Sequence, residues 1–354
     1  MIICVDDTVV GQALAGNPVC VDLIERLANV WRERTHFILL SPKSAVAIKD
    51  APGFHGCSHY YADICRFLIQ NFSLLRSVDP YVVFTWDDEK GLLPRGGERV
   101  IFSKPKAIFE NRREHELYDA FASACAGEAL RIGRKYYDPI HGNGDQTHES
   151  YKDQLEADDG LAICIVDGDV KCPGGRIRNT AEKVMKLGRN EFVRSVVLEV
   201  HELENLIPLA AIKEWYESVG EYDGDRSMVL GILGADEEFR CFIDYKKGLT
   251  VKMLNESVGD ALLWAFYARA IEAFKCALNR GVDDECLTVE CRRCARRVVC
   301  RVRMLEKIVE ADRRVLSVVC GYVVRECDSI CENARSAGEA MFSLVFSPRY
   351  SAAI

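Results

Sequence analysis

The chain lacks several features that would assign it to a class at once. Nothing at its start resembles a secretory leader: Met1 to Val5 is a short apolar run that meets Asp6 and Asp7 directly, with no cationic segment before it. Long uncharged stretches are also missing. The most apolar one, residues 259–278, is interrupted by Asp260, Arg269, Glu272 and Lys275 and reads as a buried helix, not a membrane span. There is no internal repeat and no low-complexity tract, which excludes a solenoid or a disordered chain. No G-x-x-x-x-G-K-[ST] motif is present, so any ATP hydrolysis tied to this chain must come from another one.

What remains is a 354-residue chain, 49% hydrophobic, the profile of a globular protein with a substantial core and two or three domains. Its 46 Lys and Arg stand against 54 Asp and Glu, and a net charge of -8 taken alone argues against binding a polyanion. Sixteen cysteines without a leader imply a reducing cytoplasm, where thiols are core residues, metal ligands or reactive groups.

Short apolar runs alternate with amphipathic segments. Strands are predicted at residues 1–5, 36–40 and 80–86 and helices at 19–32 and 60–72, which together imply a parallel or mixed sheet covered by helices. The turn-rich stretch from Gly91 to Gly97, followed by Pro105, marks a boundary, giving an N-terminal α/β domain over residues 1–103. A second α/β unit over 104–255 is expected to have a strand at 106–109, a helix at 114–125 and a polar loop containing Gly142, Asn143, Gly144 and Asp145. Strands at 161–166, 193–200 and 240–244 complete it. Residues 256–354 read as a helical, cysteine-rich, basic region with helices at 261–278 and 302–319.

The sharpest local signal is the strand that runs into Asp167-Gly168-Asp169. At period two its carboxylates reach one hard cation at the carboxyl edge of a sheet. Glu110 follows the strand at 106–109, and Glu199, Glu202 and Glu204 lie within or just after the strand that follows Asp169. Three successive strand ends therefore offer Glu, Asp-x-Asp and Glu. That order, over roughly residues 104–255, resembles the Toprim (topoisomerase–primase) domain, also found in OLD-type and other ATPase-associated nucleases of bacterial antiviral systems. The resemblance implies that Glu110 serves acid–base chemistry or metal binding and that Asp167 and Asp169 hold divalent ions, Mg²⁺ or Mn²⁺. It also implies that His201-Glu202-Leu203-Glu204-Asn205 is the later acidic motif, with Glu204 favoured and Glu202 second. An ABC-type ATPase partner and a role as an antiviral effector nuclease follow from it. Asn111 stands where many such sequences have Gly, and Glu114 is an additional candidate ligand one helical turn on. His115 and His201 read as structural.

A nucleic-acid substrate needs cations. Residues 171–194 carry seven Lys or Arg against two Glu, with Lys171, Arg176 and Arg178 beside a Gly174-Gly175 loop and Lys246 and Lys247 further on. Residues 291–314 carry nine against three, among them Arg292, Arg293, Arg296 and Arg297, with no aromatic residue for base stacking. Setting these two excesses aside leaves -19 on the rest, so the chain is polarised. Cys291 and Cys294 have the spacing of half a zinc site; Cys286, Cys300 and the pair Cys327 and Cys331 compete to complete it, the pair being preferred.

Other readings stand beside these. The acids alone are loop caps and a helix N-terminal charge. Asp167-Gly-Asp169-Val170 also fits the nucleophile motif of HAD-type phosphatases and the D-x-D of glycosyltransferases. A catalytically inactive Toprim scaffold acting as an adaptor is the non-enzymatic reading. Asp6 and the segment after it faintly resemble the opening of PIN-type nucleases, although a docking module is the safer reading there. The oligomeric state stays open.

Overall fold

A computed structural model describes residues 1–76, 78–100, 102–111, 114–126, 132–157, 160–219, 237–244, 249–278, 297–299, 313–326 and 331–348. The fold is mixed α/β with two four-stranded, mostly parallel sheets.

The first sheet has the order β2 (Phe37–Leu39), β1 (Ile2–Val5), β3 (Val82–Asp87), β4 (Gly91–Leu93). Its first three strands are parallel and β4 turns back antiparallel on β3, so the stretch read as a boundary closes this sheet. Around it lie α1 (Asp7–Leu14), α2 (Pro18–Glu33), α3 (Pro42–Asp50), α4 (Ser58–Arg76) and the short α5 (Gly97–Val100). Helix α2 starts where it does because the Asn17 side chain accepts from the Val19 N–H at 3.1 Å and Pro18 needs no donor there.

The second sheet is wholly parallel, in the order β7 (Asp138–His141), β5 (Lys106–Phe109), β8 (Ala162–Val166), β9 (Val193–Val197). Ala107, Phe109, Ile163 and Ile165 turn one face into the main core with α6 (Glu114–Ala126). Ile108, Ala162, Cys164 and Val166 turn the other face toward α7 (Thr147–Glu156) and α8 (Asn179–Leu187). Strand β8 is buried on both faces, which is why its sequence is uninterruptedly apolar. In chain order β6 (Ile132–Lys135) falls between β5 and β7, but it belongs to a separate two-stranded antiparallel sheet.

The two sheets share one core. The Tyr81 hydroxyl, just before β3, donates to the carbonyls of Ala162 and Phe192. Arg194 returns the contact by donating to the Tyr81 carbonyl at 2.7 Å while stacking on its ring. Past β9 come α9 (Leu209–Val219), α10 (Glu237–Phe242), β10 (Leu249–Thr250), α11 (Val251–Glu256), α12 (Ala261–Leu278), β11 (Arg297–Val299), α13 (Arg313–Arg325), α14 (Glu332–Val345) and β12 (Phe346–Pro348). Helix α14 packs on α6 and places Phe342 against Phe37 of β2, while β12 pairs with β6.

Two expected strands differ. Residues 240–244 belong mostly to a helix, α10, because Phe239 and Phe242, three apart, both pack on Phe266 of α12. Strand β9 stops at Val197 and the chain bends through 199–201. Of the helix expected at 302–319, only the part from Arg313 lies among the described residues. No helix among the described residues is long and apolar enough to cross a membrane.

Candidate metal centre

The chain leaves β5 toward β7 on one side, and β8 lies on the other, so a crevice opens between the carboxyl ends of β5 and β8. Phe109 and Ile165 are in register, and Glu110 and Asp167 are the first residues past their strands. The Asp167 backbone N–H donates to Glu110 Oε1 at 3.1 Å. Gly168 follows because nothing larger fits: a Cβ there would lie 2.0 Å from the Leu198 carbonyl oxygen and 3.0 Å from that of Val200. The close approach lets Asp169 N donate to His201 O at 3.1 Å and Val170 N to Val200 O at 3.3 Å. The loop after β8 is thereby laced to the loop after β9.

That lacing brings the later acidic motif to the first. Asp167 is 8% exposed and Glu204 4%. Burial first, then the negative charges of Glu114, Glu110, Glu204 and Glu202, hold the Asp167 carboxyl well above the usual carboxylate range. Its Oδ1 is buried and has no hydrogen-bond partner among the described residues. Tyr118 of α6, one turn beyond Glu114, is fully buried. Burial and then the charges of Asp167, Glu114, Glu110 and Glu204 push its phenol upward, and its hydroxyl likewise has no partner among the described residues. Asn111 donates its side-chain amide to Glu114 Oε1 and so orients that acid.

The charges of Glu110, Glu114, Glu202 and Glu204 all act on Asp167, whereas the trio that brings ligand atoms within 4.8 Å of one another among the described residues is His201, Glu202 and Asp244. Glu199 is exposed beyond the end of β9, its backbone N–H donating to Asn333. Asp169 takes a different course. It lies past the strand with φ at +51°, so strand alternation no longer aims its side chain, and its Oδ2 accepts from Asn179 at 2.8 Å. Among the cations, Lys171 is half-buried and Arg176 exposed. Arg178 pairs with Asp260 at 3.7 Å and donates its backbone N–H to Gly168 O at 3.2 Å. Lys246, Lys247, Arg292, Arg293, Arg296, Cys291, Cys294 and Cys327 lie outside the described residues, as does the side chain of Arg297, while Cys331 is half-buried.

Three residues close to these acids stand outside the sequence reading of the site. Tyr118 carried a findable signal, its four-residue spacing from Glu114 on one helix face. Asp244 carried none, because its approach to the loop after β9 depends on α10. His201, read as structural, lies within ligand distance of Glu202 and Asp244.

The first sheet provides an internal comparison, since β2-β1-β3 repeats the β7-β5-β8 arrangement and its β1 and β3 also end in acids. There Asp6 accepts from Thr8 N and Oγ1, Asp7 from the Ser41 and Ser44 hydroxyls, and Asp87 from the Glu89 and Lys90 N–H groups. Asp7 and Asp87 are held below the usual range by those donors. Asp6 and Asp87 cap their own loops, and Asp7 ties the start of α1 to the start of α3. No family model, curated protein or solved structure matches the chain.

Proposed function

We propose that this chain hydrolyses phosphodiester bonds in nucleic acid, with Mg²⁺ or Mn²⁺ held by Glu110, Asp167 and Glu204 and with Glu202 and Glu114 beside them. One observation carries the reading: a buried aspartate with an unpartnered oxygen sits among four glutamates. Removing Asp167 and Glu204 from water costs several kcal/mol, and the three half-buried glutamates beside them raise that cost unless protons or cations neutralise the group. A hard divalent cation with oxygen ligands fits that donor set. Once bound, it would acidify an attacking water and neutralise charge on the leaving oxygen.

The chain's own residues do the rest. Glu110, which accepts from the Asp167 N–H, would either hold the ion or take the proton from the attacking water. Asp169, which the Toprim resemblance counts among the ligands, would join by exchanging its bond to Asn179. Lys171, Arg176 and Arg178 follow directly on this loop and would meet the phosphates. On this reading the segment 104–255 is the catalytic unit, working as an antiviral effector with an ATPase supplied by another chain.

The test compares wild type with Asp167→Asn and Glu110→Gln on plasmid DNA, tRNA and para-nitrophenyl phosphate in Mg²⁺ or Mn²⁺. Wild type should cleave a nucleic acid, and each variant should lose at least ~100-fold in rate. Cleavage of the phosphate ester alone would turn the assignment to a phosphatase using Asp167 and Asp169. Binding of nucleic acid without any cleavage would leave an inactive scaffold that serves as an adaptor.

A further inference from the structure

Beside the carboxylate cluster, His201, Glu202 and Asp244 place one donor atom each within 4.8 Å of one another. Two backbone attachments bring them together. His201 follows β9 and its backbone N–H donates to Cys241 O of α10 at 2.9 Å, while Asn205 Nδ2 donates to Ile243 O at 2.9 Å. Asp244, the next residue, is thereby set against the histidine.

His201 is 5% exposed and Asp244 7%. The His201 Nε2 lies 3.6 Å from Asp244 Oδ2, beyond the 2.7–3.2 Å of an ordinary N–H···O bond. It is close to the separation of two ligands on one ion with bonds of ~2.0–2.2 Å. The other ring nitrogen, Nδ1, is buried with no hydrogen-bond partner among the described residues.

We propose that His201, Glu202 and Asp244 form a second divalent-metal site, and that its imidazole selects a transition ion such as Zn²⁺, Co²⁺ or Mn²⁺ over Mg²⁺. One nitrogen with two carboxylates suits borderline ions, whereas the neighbouring cluster offers oxygen alone and suits Mg²⁺. Glu202 belongs to both groups, since its charge also acts on Asp167. An ion here is therefore next to the carboxylate cluster but does not depend on it for its nitrogen ligand. The site stands on the geometry around His201 and not on the nuclease reading.

The experiment is calorimetric titration of the chelator-treated full chain with Zn²⁺ and, separately, Co²⁺ followed by its visible absorption, with Mg²⁺ as the contrast. Wild type should take up Zn²⁺ at a site that excess Mg²⁺ does not displace. His201→Gln and, independently, Asp244→Asn should each weaken it at least ~10-fold and change the Co²⁺ spectrum, whereas Glu110→Gln should leave it in place. Circular dichroism and thermal melting identify any variant that fails to fold, and the other variant then decides. The proposal is overturned if wild type takes up neither ion, or if folded His201→Gln and Asp244→Asn bind as wild type does. Zn²⁺ uptake lost in those variants by a chain that cleaves no nucleic acid would sustain this site and remove the nuclease reading. Cleavage without a histidine-dependent site would do the reverse.

Discussion

At the scale of single residues, the cluster is shaped by what its neighbours decline to supply. Asp167 receives no hydrogen bond at Oδ1 from the described residues, and Tyr118, whose phenol feels the same carboxylates, receives none either. A buried hydroxyl without a partner costs about 1–3 kcal/mol, so its presence makes sense only if it serves a bound ion, a water or a substrate oxygen. Tyr118→Phe keeps the ring that stacks on Phe109 at 5.3 Å and deletes only the oxygen. In the metal-free chain this variant should be as stable as wild type or up to about 1 kcal/mol more stable by urea denaturation. A loss above about 1 kcal/mol would mean the hydroxyl has a structural partner. Gly168 makes the opposite point, since a Cβ there meets backbone oxygens and not a flexible side chain. The sequence motif reads as Asp-x-Asp, but its middle residue is as constrained as the acids.

Among the elements, the turn from Leu203 to Leu206 fixes the site to α10. Asn205 Nδ2 donates to the carbonyls of Arg240 and Ile243, and its Oδ1 accepts from the Glu202 N–H at 2.9 Å. Asn205 is 6% exposed, so Asn205→Ala would strand two carbonyls and one N–H away from water. The expected cost is about 3 kcal/mol, read from the shift of the denaturation midpoint, together with loosened Zn²⁺ binding as Asp244 moves off His201. Unchanged stability would show that this turn is held by other contacts. Much of this layer is legible in the sequence. Strand β5 and helix α12 fall where periodicity puts them, because their apolar residues are dense enough to fix both ends. Strand β7 and helix α7 lie where the sequence reads as a polar loop, since β7 has no fully buried residue and α7 buries only Thr147 and Tyr151. The acids that end the strands of the two sheets are alike in sequence. Burial and hydrogen bonding separate them, and neither is written in local spacing.

For the molecule as a whole, the cluster ties folding to pH and metal. The Asp167 carboxyl titrates higher in the folded chain than the ordinary value of about 3.9. The folded state therefore holds a proton that the unfolded chain releases. That contribution is complete below about pH 3.9 and is lost as pH rises through the folded value. Asp119, raised chiefly by burial and opposed by Lys135, adds to the same trend. Asp7 and Asp87, held low by their donors, act in the opposite sense, stabilising above the ordinary value and losing that stabilisation on acidification. Asp167→Asn removes one of these groups and leaves the others, so the difference between variant and wild type isolates it. In chelator, wild type should fall in melting temperature relative to Asp167→Asn as pH is raised from about 4 toward neutrality and beyond. Mg²⁺ or Mn²⁺ at about 100 times its dissociation constant should then restore about 2.7 kcal/mol to wild type at the upper end of that range and far less to the variant. If the two melting curves stay parallel with pH and respond equally to metal, the Asp167 carboxyl is neither strained by its neighbours nor a ligand, and the five acids are a solvated edge after all.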